Sequence, residues 1–184
     1  MLKFSLFDAA LPYAEFLSTF GGPADRDRWD QRRAGVTLTP EQVELLGKFT
    51  RVTNVLVLAG AWCGDCAAQC PILERFAEAA PVLRVRYLDR DAHPEAQDEL
   101  KVNGGGRVPV AAFFSEDGHE VARFGERTLS HYRKLVQALV PGLAGVAADP
   151  ASQQAAVVAD WLREVERTQW VLRLSPRLRK LHAD

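Results

Sequence analysis

The three cysteines of this 184-residue chain fall within eight residues of one another, in the run Ala61-Trp62-Cys63-Gly64-Asp65-Cys66-Ala67-Ala68-Gln69-Cys70-Pro71. Two thiols at Cys-x-x-Cys spacing serve two chemistries, a redox dithiol or half of a metal site. The flanking sequence separates them. An apolar run, Val55-Leu56-Val57-Leu58-Ala59, precedes the motif, and a helical pattern follows it. Cys63 is thereby placed at a helix N-terminus, among unpaired backbone N–H groups at the positive end of the helix dipole, where thiolate is favoured over thiol. Cys66, one turn on, is within reach of Cys63 for disulfide closure. A metal held by Cys63, Cys66 and Cys70 is the weaker reading. There is no second Cys-x-x-Cys or His-x-x-x-His pair, and His93, His119, His131 and His182 are scattered. No metal site is predicted.

The elements that must present this motif follow from hydrophobic pattern. The short, β-branched run from Val55 to Ala59 reads as a strand buried on both faces. The helix after Cys63 carries Ile72, Leu73, Phe76, Ala77 and Ala80, with a kink predicted at Pro71. Val82 to Leu88 reads as a second strand and His93-Pro94 starts a helix through Leu100. Gly104-Gly105-Gly106 lacks the preceding strand and spacing of a phosphate cradle and reads as a mobile loop. Val110–Phe114 and Glu120–Phe124 flank Glu116-Asp117-Gly118 as a hairpin. Thr128 to Val140 forms an amphipathic helix. The order β-α-β-α-β-β-α gives an α/β fold, a mixed sheet covered by helices.

Outside this unit, residues 1–50 read as a helical extension. A short helix covers Tyr13 to Leu17 and ends at Gly21-Gly22-Pro23. The stretch Asp25 to Arg33 is dense in charge and reads as a solvated face or loop. Thr39-Pro40-Glu41-Gln42 opens a firmer helix with an N-cap Thr, Pro at the first position and Gln placed for a capping box. Residues 142–184 read as a small-residue linker and an amphipathic helix from about Ser152 to Leu174. That helix has an apolar face of Val158, Trp161, Leu162, Val165 and Leu172. Trp161 and Trp170 must bury against the core or against a second subunit, so a homodimer through this helix is one expected arrangement. Arg173, Arg177, Arg179 and Lys180 make the end a basic, solvated tail.

A formal net charge of -1 argues against nucleic acid or an anionic membrane as partner. No stretch has the ~18 apolar residues of a membrane span. Asp8 and Pro12 interrupt the N-terminus too early for a signal peptide. Clustered cysteines do not form the framework of a secreted fold, so a reducing cytoplasm is the expected compartment.

Over residues 53–141 the chain resembles the thioredoxin superfamily. The resemblance rests on Trp62-Cys63-Gly64-Asp65-Cys66 after a strand, Pro71 five residues past the second cysteine, Val108-Pro109 ahead of a strand, and Gly125 after the hairpin. It implies a thioredoxin-like mixed β-sheet, here with helical N- and C-terminal extensions, and a Pro109 that is cis and faces the cysteines. It also implies that Cys63 is the attacking thiolate and Cys66 resolves the mixed disulfide. Exposed backbone near Val108 and the face of Trp62 would bind an extended substrate, with Gly125 leaving room beside them. The redox-active group would be the Cys63–Cys66 disulfide itself, without a further cofactor.

The chain also departs from the family. The buried acid usual on the strand six residues before the first cysteine, and its lysine partner on the next strand, have Val57 and Val85 in their places. Losing both avoids stranding a buried charge, and removes the usual proton acceptor for Cys66. Asp65, an anion near two thiols, should oppose the helix dipole and make the protein a reductant. Arg107 is positioned either to offset Asp65 or simply to lie in solvent. Cys70 reads as a small buried hydrophobe, with a secondary disulfide as its alternative. The resemblance implies thiol–disulfide exchange on protein or small-molecule disulfides, with an unidentified reductase or thiol as electron donor. The alternatives are a redox-inactive binding scaffold and a glutaredoxin-like enzyme using a low-molecular-weight thiol.

Overall fold

The structure, a computed structural model, describes residues 2–140 and 152–184. Four helices precede the first strand: Ser5–Ala9 (α1), Tyr13–Phe20 (α2), Pro23–Ala34 (α3) and Pro40–Gly47 (α4). Then follow Thr53–Ala59 (β1), Gly64–Ala79 (α5), Leu83–Asp89 (β2), Pro94–Glu99 (α6), Val110–Ser115 (β3), Glu120–Gly125 (β4) and Leu129–Leu139 (α7). Gln153–Arg173 (α8) and Pro176–His182 (α9) complete the described chain. No helix among the described residues is long and apolar enough to cross a membrane.

The sheet has the order β2-β1-β3-β4, with β1 parallel to β2 and antiparallel to β3, and β4 antiparallel to β3. Every residue of β1 is buried, as its unbroken apolar run requires of a central strand. The register places Val57 opposite Tyr87, and Val55 opposite Val85. The cross-strand neighbour of Val57 is therefore Tyr87, which corrects the assignment to Val85. Tyr87 is fully buried and its hydroxyl donates to Glu74 Oε1 at 2.8 Å, so polar chemistry in this part of the core comes from α5.

The stretch Asp25 to Arg33 is not a loop but most of α3. Its start is fixed by Pro23 and by the Gly22 N–H, which donates to Asp25 Oδ2 at 3.1 Å. The helix has no apolar periodicity because it buries a single side chain, Trp29, which is fully enclosed. Trp29 packs among Tyr13, Phe16 and Tyr87 with ring centroids 5.7 to 6.5 Å away. That aromatic cluster joins the N-terminal helices to β2, whose outer edge also pairs with Leu11 through two backbone hydrogen bonds of 2.8 and 2.9 Å. The Thr39 cap forms as its sequence predicts: its hydroxyl accepts from Gln42 N, and the Gln42 amide accepts from Thr39 N.

At the other end, α8 lies against α5 and β4. Trp161 is fully buried within the chain, edge-on to Phe124 at 4.8 Å, whereas Trp170 is 38% exposed beside Phe49. The Gln169 amide reaches Arg51 O and Thr53 Oγ1, both at 2.8 Å, and fastens α8 to the entry of β1. The basic tail is not simply solvated. It forms α9, where Arg177 pairs with Asp117 and His182 bonds Glu116 on the β3–β4 turn. The glycine-rich segment is a tight turn at Asn103-Gly104 closed by reciprocal backbone bonds between Val102 and Gly105, with Gly106 just beyond it.

Candidate functional site

The motif sits where β1 hands over to α5. After Ala59 the chain turns through Gly60-Ala61-Trp62, and Cys63 becomes the N-cap of α5. Its Sγ accepts the Cys66 N–H at 3.4 Å, one of the free donors at the helix start. Cys63 is 9% exposed, while Cys66 and Cys70 are completely buried. Of the three cysteines only Cys63 keeps any exposure. All three cysteines are unbridged, and Cys70 sits in the hydrophobic core on the same helix face as Cys66.

The Val108–Pro109 peptide bond is cis and the Val108 carbonyl faces the motif, accepting from Cys63 Sγ at 3.7 Å. Val108 is only 5% exposed, so this backbone is covered by Cys63 rather than open as the resemblance implies. Gly125, at φ +142°, passes so close that a Cβ there would lie 2.4 Å from Pro109 O. No other residue permits both that backbone and that approach. Trp62 stands at the surface of the site. It is 48% exposed, lies on Gly60, and carries the Arg90 guanidinium over its ring at 4.6 Å. Arg90 also donates to Gly106 O, so it joins the Trp62 loop to the segment leading into Val108.

Two further residues act on the loop, and neither is visible as a site residue in the sequence. Trp29 Nε1 donates to Ala61 O at 2.8 Å, and Arg28 Nη2 donates to Ala61 O at 3.2 Å and Trp62 O at 2.9 Å. Asp25 holds that guanidinium at 2.8 Å. The two carbonyls immediately before Cys63 are thus gripped by α3. The available signal was a lone Trp in a charged stretch, which on its own does not identify a contact some thirty residues away.

The charges differ from the sequence-based expectation. Asp65 is paired with Arg127 Nη2 at 2.8 Å, whereas Arg107 pairs with Glu126 Oε1 at 2.9 Å. Arg107 does not offset Asp65. Arg127 does, so Asp65 is not a bare anion beside the thiols and carries no argument for a reductant. Glu126 is buried and also accepts from the Tyr132 hydroxyl at 2.6 Å, while its own carbonyl accepts from Gln69 Nε2 at 2.9 Å. Gln69 in turn accepts from Trp161 Nε1 at 3.0 Å. Gly125, Glu126 and Arg127 are by this chain tied to α5 and α8.

The thiols themselves are held protonated in the dithiol. For Cys63 the hydrogen bond shared with Cys66, and then burial, push the pKa upward and outweigh the backbone N–H groups of Cys66 and Asp65 that draw it down. Burial pushes Cys66 up as well. The helix-terminus effect read from the sequence is present, but it is not the dominant influence. Among the described residues no group of three or more His, Cys, Asp or Glu side chains is arranged to hold a metal.

A mixed sheet carrying Cys-x-x-Cys at a helix N-terminus, against a cis-proline loop, defines a thioredoxin-fold protein. A family model described as thioredoxin matches residues 12–139, and the chain belongs to that family. Among curated proteins it is similar to a thioredoxin of Chlamydia muridarum, 36% identical over 62 residues. That match covers 34% of this chain and 57% of the relative, so the chain spans little more than half the length of the thioredoxin it matches. A solved protein of unknown function from Pseudomonas aeruginosa aligns over 91% of this chain and 97% of its own, with a TM-score of 0.73 at 18% identity. An HIV epitope-scaffold aligns over 90% and 92% of the two chains, with a TM-score of 0.60 at 18% identity. Both likenesses extend across the helical additions as well as the sheet, and concern the fold.

Proposed function

We propose that the protein is a thiol–disulfide oxidoreductase that reduces disulfide substrates through Cys63 and Cys66. The observation that carries this reading is the asymmetry of the pair. Cys63, at the N-cap with its Sγ on the Cys66 N–H, is the reachable thiol, and Cys66 waits fully buried behind it.

In the reaction the Cys63 thiolate attacks one sulfur of the substrate disulfide. A mixed disulfide forms, and the first substrate thiolate leaves and takes up a proton. Cys66 then loses its proton and attacks Cys63 Sγ, forming the Cys63–Cys66 disulfide and expelling the second substrate thiol. Two electrons pass from the dithiol to the substrate. An external dithiol or a reductase returns them. Because both thiols are held up in the resting dithiol, the rate depends on substrate docking, which opens the Cys63–Val108 contact and breaks the shared thiol hydrogen bond. Trp62 is the exposed part of the docking surface, Val108 and Pro109 join it once the Cys63–Val108 contact opens, and Gly125 keeps Pro109 in place. The three cysteines, clustered in one motif rather than spread as a disulfide framework, support a reducing compartment, the cytoplasm, as the place of action.

Replacing Cys66 with Ser tests the reading. Resolution is then blocked, and mixed disulfides to Cys63 accumulate in a cell extract, released by a reductant and identified by mass spectrometry. Recovery of no Cys63-linked partner from the C66S protein, with none released from a C63S control, refutes the reaction.

A further inference from the structure

Beside the motif, on the face of α5 away from the buried cysteines, a cavity of about 290 Å3 opens between α3, α5, α7 and α8. Its polar lining comprises Arg32, Gln69, His131, Lys134, Gln153 and Gln154, over an apolar floor from α5 and α8. No carboxylate lines it. Arg32 and Lys134 have no ion-pair or hydrogen-bond partner among the described residues, in a chain where arginines of the site are otherwise paired. Gln153 Nε2 is shut off from solvent and has no acceptor among the described residues. Gln69 is fixed by its bonds to Glu126 and Trp161, so that wall is rigid. The first turn of the 21-residue α8 adds the positive end of a helix dipole.

The cavity adjoins the reactive site. Ala68 and Gln69 belong to the turn of α5 that follows Cys66, and His131 feels both Asp65 and Arg127. The two carboxylates that act on His131, Asp65 and Glu126, are each already held by an arginine. Burial keeps His131 toward its neutral form, so the fixed positive charge at the rim is that of Arg32 and Lys134. Two exposed cations without a carboxylate partner and a helix N-terminus share one pocket with no acidic lining. An anion complements that charge.

We propose that this cavity is a specificity subsite that receives an acidic side chain or terminal carboxylate of the disulfide substrate reduced at Cys63. The proposal rests on the oxidoreductase reading for its substrate and on the cavity for its chemistry.

Two symmetric peptide disulfides of equal length test it, one with two glutamates following the cysteine and one with two glutamines. The acidic peptide is expected to have a kcat/KM about tenfold higher at about 20 mM salt, contracting to about twofold at about 300 mM. R32Q and K134Q each narrow that ratio, and K134E brings it to one or below, with circular dichroism confirming that the variants fold. Equal rates for the two peptides, or a ratio unchanged in K134E, overturn the subsite. A fluorescent acidic peptide with serine in place of cysteine decides the cavity independently of turnover. Anisotropy must show it binding more tightly than its amide counterpart and losing that advantage in K134E. If it does so while neither disulfide is reduced, the oxidoreductase reading fails and the anion site stands. If it binds no better than the amide, the anion site fails.

Discussion

Trp29 offers the most direct test of whether the N-terminal helices are part of the reactive site. Its indole is fully buried among Tyr13, Phe16 and Tyr87, and its N–H holds Ala61 O at 2.8 Å. In a Trp29→Phe variant that hydrogen bond is lost, but Ala61 O keeps the Arg28 donor at 3.2 Å and is not orphaned. The loss of the bond costs about 1 kcal/mol. Replacing the indole by the smaller phenyl ring removes packing worth about 1–2 kcal/mol. The sum, about 2–3 kcal/mol, lowers Tm by roughly 5–10 °C at about 2–4 °C per kcal/mol for a chain of this size. Trp29→Ala also empties the aromatic cluster and costs about 4–6 kcal/mol. Thermal unfolding followed by circular dichroism gives the stabilities, and alkylation of Cys63, followed by mass spectrometry well below Tm, reports on the loop. Cys63 is only 9% exposed while α3 holds the preceding carbonyls, so loosening that grip accelerates alkylation severalfold in W29A and less in W29F. An unchanged Tm and unchanged alkylation in W29A would show that α3 neither shares the core nor braces the site.

Three other outcomes follow from the same geometry. Gly125→Ala forces a Cβ to within 2.4 Å of Pro109 O at φ +142°, and is expected to cost at least about 2–3 kcal/mol. A urea midpoint within error of the parent protein would contradict that close approach. Iodoacetamide should alkylate Cys63 slowly at neutral pH and faster only above the ordinary thiol value of 9.0, because the shared hydrogen bond and burial hold the proton on. A plateau of reactivity reached below pH 7 would show instead that the helix terminus prevails. Glu74, raised above 4.5 by burial despite the Tyr87 hydroxyl it accepts from, binds its proton more tightly folded than unfolded. Its contribution is fully present below pH 4.5 and is lost as pH rises through the higher folded value. Glu74→Gln should therefore flatten the decline in urea midpoint across that interval, and an identical pH profile in the variant would refute the assignment.

What the sequence by itself determined was everything carried by local pattern. The all-apolar run before Cys63 could only be a central strand. Thr39, Pro40 and Gln42 specified a helix start, and the spacing of Trp62, Cys63, Cys66, Pro109 and Gly125 carried the resemblance to the thioredoxin superfamily. Such features are written in residues near one another, or in a period that burial imposes on one element. Charge partners are written nowhere in that form. Arg107 stands nearer the motif along the chain than Arg127, and only the packing of Glu126 between α5, α7 and β4 assigned Arg127 to Asp65. The register of β1 on β2 likewise decided that Tyr87, not Val85, lies opposite Val57. The charged stretch that became α3 was illegible because one buried tryptophan leaves no period. Its partners, Tyr87 and the carbonyl of Ala61, are supplied by distant parts of the fold. Local sequence sets which elements form, but a salt bridge or a buried donor is chosen by whatever group the tertiary fold brings within about 3 Å of it.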